Sequence, residues 1–268
     1  MPKTLAIIQA RMGASRLPGK VLLDLGGEPM LVRVVERTKR ASLLDAVTVA
    51  TTTEVQDAAI AELCASRGYS CYRGSMHDVL DRYYQAARPF DPEIIVRITA
   101  DCPVIDPNLI DETIQAAIAH DADFAATRLP PPWHRTYPIG LDVEVCTFIA
   151  LQRAWEEADQ KFHREHVLPY LYEGVEPRAV TAQLSLGTSQ RGFKIAVLNH
   201  DPDYGSMRWA VDTPEDLDVI RQVYHRFNGR DDFSWQEILA LFANDPCLAK
   251  INASIPHKTM FDVDKKSH

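Results

Sequence analysis

Residues 7 to 22 read IIQARMGASRLPGKVL, and the stretch changes character halfway along. Strand-like residues run into a segment that carries Arg11, Arg16 and Lys20, with Gly13 and Gly19 among them. A loop leaving the carboxyl end of a strand presents backbone N–H groups outward, and glycines let it approach a phosphate closely. Three added cations make this loop an anion trap of triphosphate size. It is not a P-loop, because Val21 follows Lys20 where Ser or Thr would be needed, and it lacks the G-x-G-x-x-G spacing of dinucleotide binders. The plain alternative is a solvated basic loop. The whole chain is acidic, with 37 Asp and Glu against 29 Lys and Arg and a net charge of -8. That balance argues against nucleic acid and membrane surfaces as partners, since both reward a basic face. A local basic cluster in such a chain points to a small anion.

The block R-M-G-A-S-R-L-P-G-K (11 to 20) resembles the N-terminal signature of the cytidylyltransferases that activate sugar acids. These are the acylneuraminate and 3-deoxy-manno-octulosonate enzymes, and above all the branch typified by spore coat polysaccharide biosynthesis protein F. The resemblance implies that the loop, with Gly13 and Ala14 in it, wraps the phosphates of CTP while Arg11, Arg16 and Lys20 neutralise them. Relatives usually carry Ser where this chain has Ala14, which removes a hydroxyl from the nucleotide's side. The implied reaction is transfer of CMP with loss of pyrophosphate, which calls for a divalent cation such as Mg²⁺ held by carboxylates and by the phosphates themselves.

Two aspartates suit that role. Asp101 in RITADCP follows the expected strand 93–99, and Asp212 in WAVDTPED ends an expected strand at 208–212. Both match metal-binding positions of the family, which makes Arg11, Lys20, Asp101 and Asp212 the catalytic candidates. The competing reading is that each aspartate caps a following helix, a common use of Asp near Pro. The segment YRGSMHDVLDRY (72 to 83) resembles a family block near base and ribose, which implies nucleotide contacts from Arg73 and Ser75 and, less strongly, Asp78. Ser75 and Asp78 equally resemble the start of a capped helix.

For the acceptor, YPIGLDVEV (137 to 145) and HREHVLPYLY (163 to 172) resemble motifs of the same branch. Asp142 and Glu144 share one face of an alternating strand and suit either orientation of acceptor hydroxyls or binding of a second metal. Arg164 suits bidentate pairing with an acceptor carboxylate. His166 suits deprotonation of the attacking hydroxyl, or alternatively a structural bond to Asp142 or Glu144. His163 and His166 have helical spacing for two metal ligands but no evident third.

These residues need a scaffold. Short apolar runs at 4–10, 45–52, 69–73 and 93–99 alternate with helical patterns at 29–41, 54–68, 77–87 and 108–120, the mark of a parallel sheet covered on both faces. Ligands of such folds gather at the carboxyl ends of the strands. Strands are further expected at 123–127, 140–147 and 208–213, helices at 148–158, 163–173, 214–227 and 234–242, and a proline-rich loop at 128–138. The expected fold is a three-layer α/β/α, mostly parallel sheet of the nucleotide-diphospho-sugar transferase type. Residues 1–244 form one nucleotidyltransferase domain, with 128–207 as its acceptor and oligomerisation region and 245–268 as a variable, loosely packed tail. Five cysteines without a C-x-x-C pair signal neither a disulfide framework nor a zinc site. With no signal-like or membrane-spanning apolar run, the expectation is a cytoplasmic enzyme, by resemblance a homodimer, with a nucleotide and a small acceptor as its partners.

The resemblance implies a CTP-dependent transferase acting on a sugar acid. A phosphonate acceptor, a nucleotide-sugar glycosyltransferase and a non-catalytic nucleotide-binding regulator remain the alternatives. The glycosyltransferase would call for a D-x-D motif after a strand, and none follows one in the first half: DAD (121–123) precedes a strand, and DVD (262–264) lies in the tail.

Overall fold

The computed structural model describes residues 3–256, so DVD and half of the expected tail lie outside the described residues. The first strand, β1 (Thr4–Gln9), precedes a small hairpin of β2 (Asp24–Leu25) and β3 (Glu28–Pro29) and the helix α1 (Met30–Thr38). Then follow β4 (Ala46–Thr52), α2 (Ala58–Arg67), β5 (Ser70–Gly74), α3 (Val79–Ala87), β6 (Ile94–Thr99) and α4 (Pro107–Ala119). The middle holds β7 (Phe124–Ala126), β8 (Glu144–Thr147), α5 (Phe148–Glu157), α6 (Lys161–His166) and α7 (Pro169–Tyr172). Three strands, β9 (Arg178–Thr181), β10 (Leu184–Thr188) and β11 (Lys194–Leu198), lead to α8 (Pro214–Arg226), α9 (Trp235–Asn244) and α10 (Cys247–Ile251).

One sheet takes nine of these strands in the order β5-β4-β1-β6-β8-β7-β11-β10-β9. Only β8 and β10 run against the common direction, so the sheet is mostly parallel. Alternation along β1 sorts the core into two layers. Ala6 and Ile8 pack with residues of α1, α4 and α8, whereas Leu5 and Ile7 pack with residues of α3, α5 and α7. Helices therefore cover both faces, and the three-layer α/β/α architecture holds.

The chain moves outward from β1 to β4 and β5, then crosses back to place β6 on the other side of β1. A reversal of this kind opens a crevice at the carboxyl ends of the two central strands. Gln9 and Thr99 are paired there, and Ala100 N donates to Gln9 O at 3.0 Å. Residues 10–20 and Asp101 thus leave the sheet side by side.

Some sequence expectations fail for physical reasons. Residues 208–213 form no strand: Trp209 N and Ala210 N both donate to Ile139 O, Val211 N donates to Asp101 O, and only a single bridge links Ile139 to Arg208. The expected strand at 140–147 shortens to β8, and the helix expected at 163–173 breaks where Val167 takes φ 75 ahead of Pro169. Far from packing loosely after Asp245, α10 buries Leu248 and is followed by Asn252, whose Nδ2 donates to Arg208 O at 3.0 Å and Asp216 Oδ1 at 2.9 Å. No helix of the described residues is long and apolar enough to cross a membrane.

Candidate active site

The cationic loop folds on itself before it reaches Lys20. Ala14 N and Gly19 N both donate to Met12 O at 2.9 Å, and Met12 N is tied to the buried Asp57 carboxylate at 2.7 Å. Gly19 adopts φ 71, a left-handed conformation that a side chain would resist, and a short 3₁₀ turn at Lys20–Leu22 follows. This sharp reversal turns Lys20 inward, where it is 7% exposed.

The Lys20 ammonium makes three hydrogen bonds, to Asp101 Oδ2 at 2.9 Å, Asp212 Oδ1 at 2.9 Å and Val211 O at 2.7 Å. Its three donors are thereby all used. Burial alone would lower the Lys20 pKa, but the Asp101 and Asp212 carboxylates outweigh it and raise it above the ordinary value. Burial pushes the other way at Asp212 too, and Lys20, Arg16 and Arg208 together hold its pKa below the ordinary value. Arg16 Nη2 lies 2.9 Å and Arg208 Nη2 2.6 Å from Asp212 Oδ2, while Thr99 Oγ1 donates to Asp101 Oδ1 at 2.6 Å.

Neither aspartate caps a helix. Asp106 caps α4, and Thr213 caps α8 in a reciprocal box with Asp216. Both candidate carboxylates are left to face the loop. Arg11, Ala14, Arg16, Lys20, Asp101 and Asp212 line one cavity of about 250 Å³ at the sheet's switch point. Ser15 lines it as well and puts a hydroxyl beside Ala14. Gly13 sits exposed on the same loop and outside that lining, and an added Cβ there would meet only Gln56 Nε2 at 3.4 Å.

Arg73 and Ser75 stand apart from this group. The Arg73 guanidinium donates to the backbone oxygens of Thr52 and Glu54, both at 2.9 Å, and so fastens the end of β4. Ser75 Oγ accepts from Asp78 N at 3.0 Å, and Asp78 caps α3.

A second and larger cavity, about 910 Å³, is lined by Arg97, Arg128, Trp133, Glu144, His166 and Arg208 among others. It adjoins the first, because Arg208 pairs with Asp212 and Arg97 Nη2 reaches Gln9 Oε1 at 3.4 Å. Glu144 accepts from Arg97 Nη1, and Asp142 accepts from Arg135 Nη1 at 2.7 Å and Arg128 Nε at 3.2 Å. Burial lowers the His166 pKa, more than Glu165 raises it, and keeps the imidazole neutral near neutrality. Arg164 does not face this cavity: its Nε and Nη2 grip the Asp78 carboxylate at 3.0 and 2.5 Å. His163 is buried beside Glu173, with Nε2 3.3 Å from Oε2, and forms no metal pair with His166. Sequence reading missed Arg97, Arg128, Arg208 and Asp216. The four-residue spacing of Arg208, Asp212 and Asp216 was a usable signal, masked by the strand expected there.

Among the described residues no group of three or more His, Cys, Asp or Glu side chains can hold a metal alone. The donor chemistry nevertheless fits one. Asp101, Asp212 and Val211 O direct three oxygens at a single cationic point, now Lys20 Nζ, and Mg²⁺ in phosphate chemistry takes one or two carboxylates plus phosphate and water.

A cationic loop thus lies over convergent carboxylates at the switch point of a doubly wound sheet, where folds of this kind bind their ligands. The cytidylyltransferase family model matches residues 5–234, and the chain belongs to that family. It is 32% identical to spore coat polysaccharide biosynthesis protein SpsF of Bacillus subtilis over 253 residues, covering 92% of this chain and 96% of that one. With the 3-deoxy-manno-octulosonate cytidylyltransferase of Anaeromyxobacter dehalogenans it shares 39% identity over 233 residues, covering 80% and 95%. The solved structure of a cytidylyltransferase from Leptospira borgpetersenii superposes with a TM-score of 0.81 at 28% identity, covering 96% of this chain and all of the other.

Proposed function

We propose that this cytidylyltransferase transfers CMP from CTP to the hydroxyl of a sugar acid of the nonulosonic type, releasing pyrophosphate, in the making of a surface polysaccharide. The observation that carries the reading is the meeting of two cavities at Asp212 and Arg208. One has the charge and size for a triphosphate, and the other has room for a polyhydroxylated acid. Relationship to SpsF and to an octulosonate cytidylyltransferase supports the acceptor class.

In this reading the acceptor oxygen attacks the α-phosphorus, the new P–O bond forms as the bond to the β-phosphate breaks, and pyrophosphate leaves. Arg11, Arg16 and Lys20 neutralise the phosphates, and the cavity walls hold the two reactants in line, which is most of what phosphoryl transfer asks of a protein. Asp101 and Asp212 would hold Mg²⁺, which when bound adds charge neutralisation on the phosphates. Neutral His166, on the wall of the larger cavity, takes the proton of the hydroxyl. Arg128, which lines the larger cavity, takes the acceptor's carboxylate in place of Arg164, whose guanidinium is committed to Asp78.

A pyrophosphate-release screen crossing the four nucleoside triphosphates with nonulosonic acids, octulosonate and phosphonates tests the reading. Release with CTP and a sugar acid is the expected result, and a response to phosphonates alone moves the acceptor class. Asp101→Asn should lower turnover by roughly a thousandfold or more with the fold intact; near-normal release from that variant removes the metal assignment. The glycosyltransferase alternative draws no support from DAD, where Asp121 is exposed and paired with Lys194 Nζ and Asp123 accepts from Lys194 N.

A further inference from the structure

Four oxygens belong to Asp101 and Asp212, and each already accepts a hydrogen bond. Asp101 Oδ2 and Asp212 Oδ1 take the Lys20 ammonium, Asp101 Oδ1 takes Thr99 Oγ1, and Asp212 Oδ2 takes Arg16 and Arg208. The ammonium sits at the point where the two carboxylates converge, with Val211 O as a third oxygen at 2.7 Å. A divalent cation bridging the same pair needs those inward oxygens at roughly 2.0–2.1 Å. Ammonium and metal cannot share that position, since two cations about 4 Å apart repel strongly in a partly buried site.

We infer that Lys20 holds the place of the divalent cation in the nucleotide-free enzyme, so that metal enters only with a triphosphate that draws the ammonium away. The inference rests on the assignment of Asp101 and Asp212 as the metal carboxylates. Lys20 is built to leave: a four-carbon stem carries its charge, and the turn behind Gly19 puts it on the loop that would close on the phosphates. The incoming phosphates offer the ammonium new oxygens as the metal takes its old ones, and the carboxylates are neutralised before and after. Lys20 is thus a positioning residue in the free enzyme, holding two like charges together that would otherwise splay. Nucleotide and metal must bind with positive coupling, each raising the affinity for the other by the same factor.

Mn²⁺ binding to the whole protein without nucleotide, followed by the paramagnetic signal of the free ion and by calorimetry, tests this directly. Wild type should bind Mn²⁺ weakly alone and tightly once CTP is added. Lys20→Met should bind Mn²⁺ without nucleotide roughly tenfold more tightly than wild type, or better. Lys20→Gln repeats the test should the methionine variant not fold. The double variant Lys20→Met/Asp101→Asn should lose the gain. Arg11→Met removes the same charge from the same loop without vacating the position, and should stay within about threefold of wild type. Equal nucleotide-free affinity in wild type and the Lys20 variants overturns the inference, as does an equal gain in Arg11→Met. Tight binding that needs neither Asp101 nor CTP in any variant instead removes the metal assignment beneath it.

Discussion

Arg208 reaches from the wall of the larger cavity to Asp212, with Nη2 2.6 Å from Oδ2, while its Nε lies 2.9 Å from Asp216 Oδ1. The three residues are four apart in sequence, yet residues 208–213 are not helical. The chain curls so that Asp216 also accepts from the backbone N–H of Asp212 at 3.0 Å and of Thr213 at 3.1 Å. Asp216 is therefore the anchor of the segment, Arg208 the strut, and Asp212 the carboxylate they orient. Asn252 closes the arrangement by binding Arg208 O and Asp216 Oδ1.

Removing the strut should cost stability as well as activity. Arg208→Met leaves the Asp216 carboxylate buried with its main ionic partner gone, a situation that costs about 3–5 kcal/mol, readable from urea denaturation. Burial raises the Asp216 pKa, but Arg208 and Asn252 outweigh it and lower it from the ordinary 3.8. A depressed carboxylate contributes stability above its unfolded pKa and loses it as pH falls through the folded value. The difference between wild type and Arg208→Met should accordingly be full at high pH and shrink as pH falls, beginning where Asp216, held up by burial once Arg208 is gone, takes its proton in the variant. Arg208→Lys, lacking the two-pronged guanidinium, should recover only part of the stability and should lower kcat more than it raises the KM for CTP.

Arg164 and Asp78 make a second test, because sequence reading gave Arg164 to the acceptor and the structure shows it gripping α3 instead. The pair is partly exposed, with side-chain exposures of 22% and 34%, so its coupling should be modest. A double-mutant cycle of Arg164→Met and Asp78→Asn, followed by thermal unfolding, should give about 1 kcal/mol. The acceptor KM of Arg164→Met should stay near that of wild type, whereas Arg128→Met should raise it by roughly tenfold or more. A large acceptor KM effect in Arg164→Met alone would return the acid clamp to that residue.

What the sequence disclosed follows how locally each feature is encoded. The β1–β6 half was readable because buried parallel strands are short apolar runs and helices of three-turn length carry their own period, and the boundaries fall within a few residues of expectation. Arg11, Ala14, Arg16, Lys20 and Asp101 come together on one cavity because the strand-end loops of the adjacent parallel strands β1 and β6 must meet, and Asp212 joins them because Val211 N is bonded to Asp101 O. The hairpin β9–β10 gave no signal, since β9 is exposed along its whole length and β10 is nowhere fully buried, leaving no alternation to read. Arg73, Ser75 and Arg164 were read as ligand contacts because residue type does not reveal whether a backbone oxygen, a helix end or another carboxylate lies within reach. Those partners are Thr52 and Glu54 for Arg73, the start of α3 for Ser75, and Asp78 for Arg164.

His166 supplies a test of proton transfer. Its pKa is lowered chiefly by burial, so the neutral, proton-accepting form persists below pH 6.5 in the free enzyme. With the acceptor varied, the acidic limb of kcat/KM should fall below pH 6.5, the side on which burial places it. His166→Gln should lower kcat/KM by roughly a hundredfold and remove that limb. The sign is the same for stability: a depressed histidine favours the folded state above pH 6.5 and loses that contribution as pH falls through its folded value. A limb that survives unchanged in His166→Gln assigns the proton to another group and leaves His166 as part of the cavity wall.

The segment that carries Asp212 is held by backbone contact at Gly140. That residue takes φ 108, and a Cβ added there would lie 2.5 Å from Ala210 N and 2.7 Å from Trp209 C. Both are main-chain atoms, fixed by the bonds from Trp209 N and Ala210 N to Ile139 O, so they cannot turn aside as a side-chain tip would. Gly140→Ala should therefore cost about 3 kcal/mol or more, through a positive φ and a clash together. What folds should show weakened turnover, because shifting residues 209–211 moves Asp212 and Val211 O away from Lys20. Gly27→Ala isolates the conformational part. Gly27 has φ 94 with nothing within 4 Å of an added Cβ, and its substitution should cost only about 1 kcal/mol with turnover unchanged. Equal losses in the two variants would mean that strain alone acts at Gly140 and that the 209–211 segment has slack.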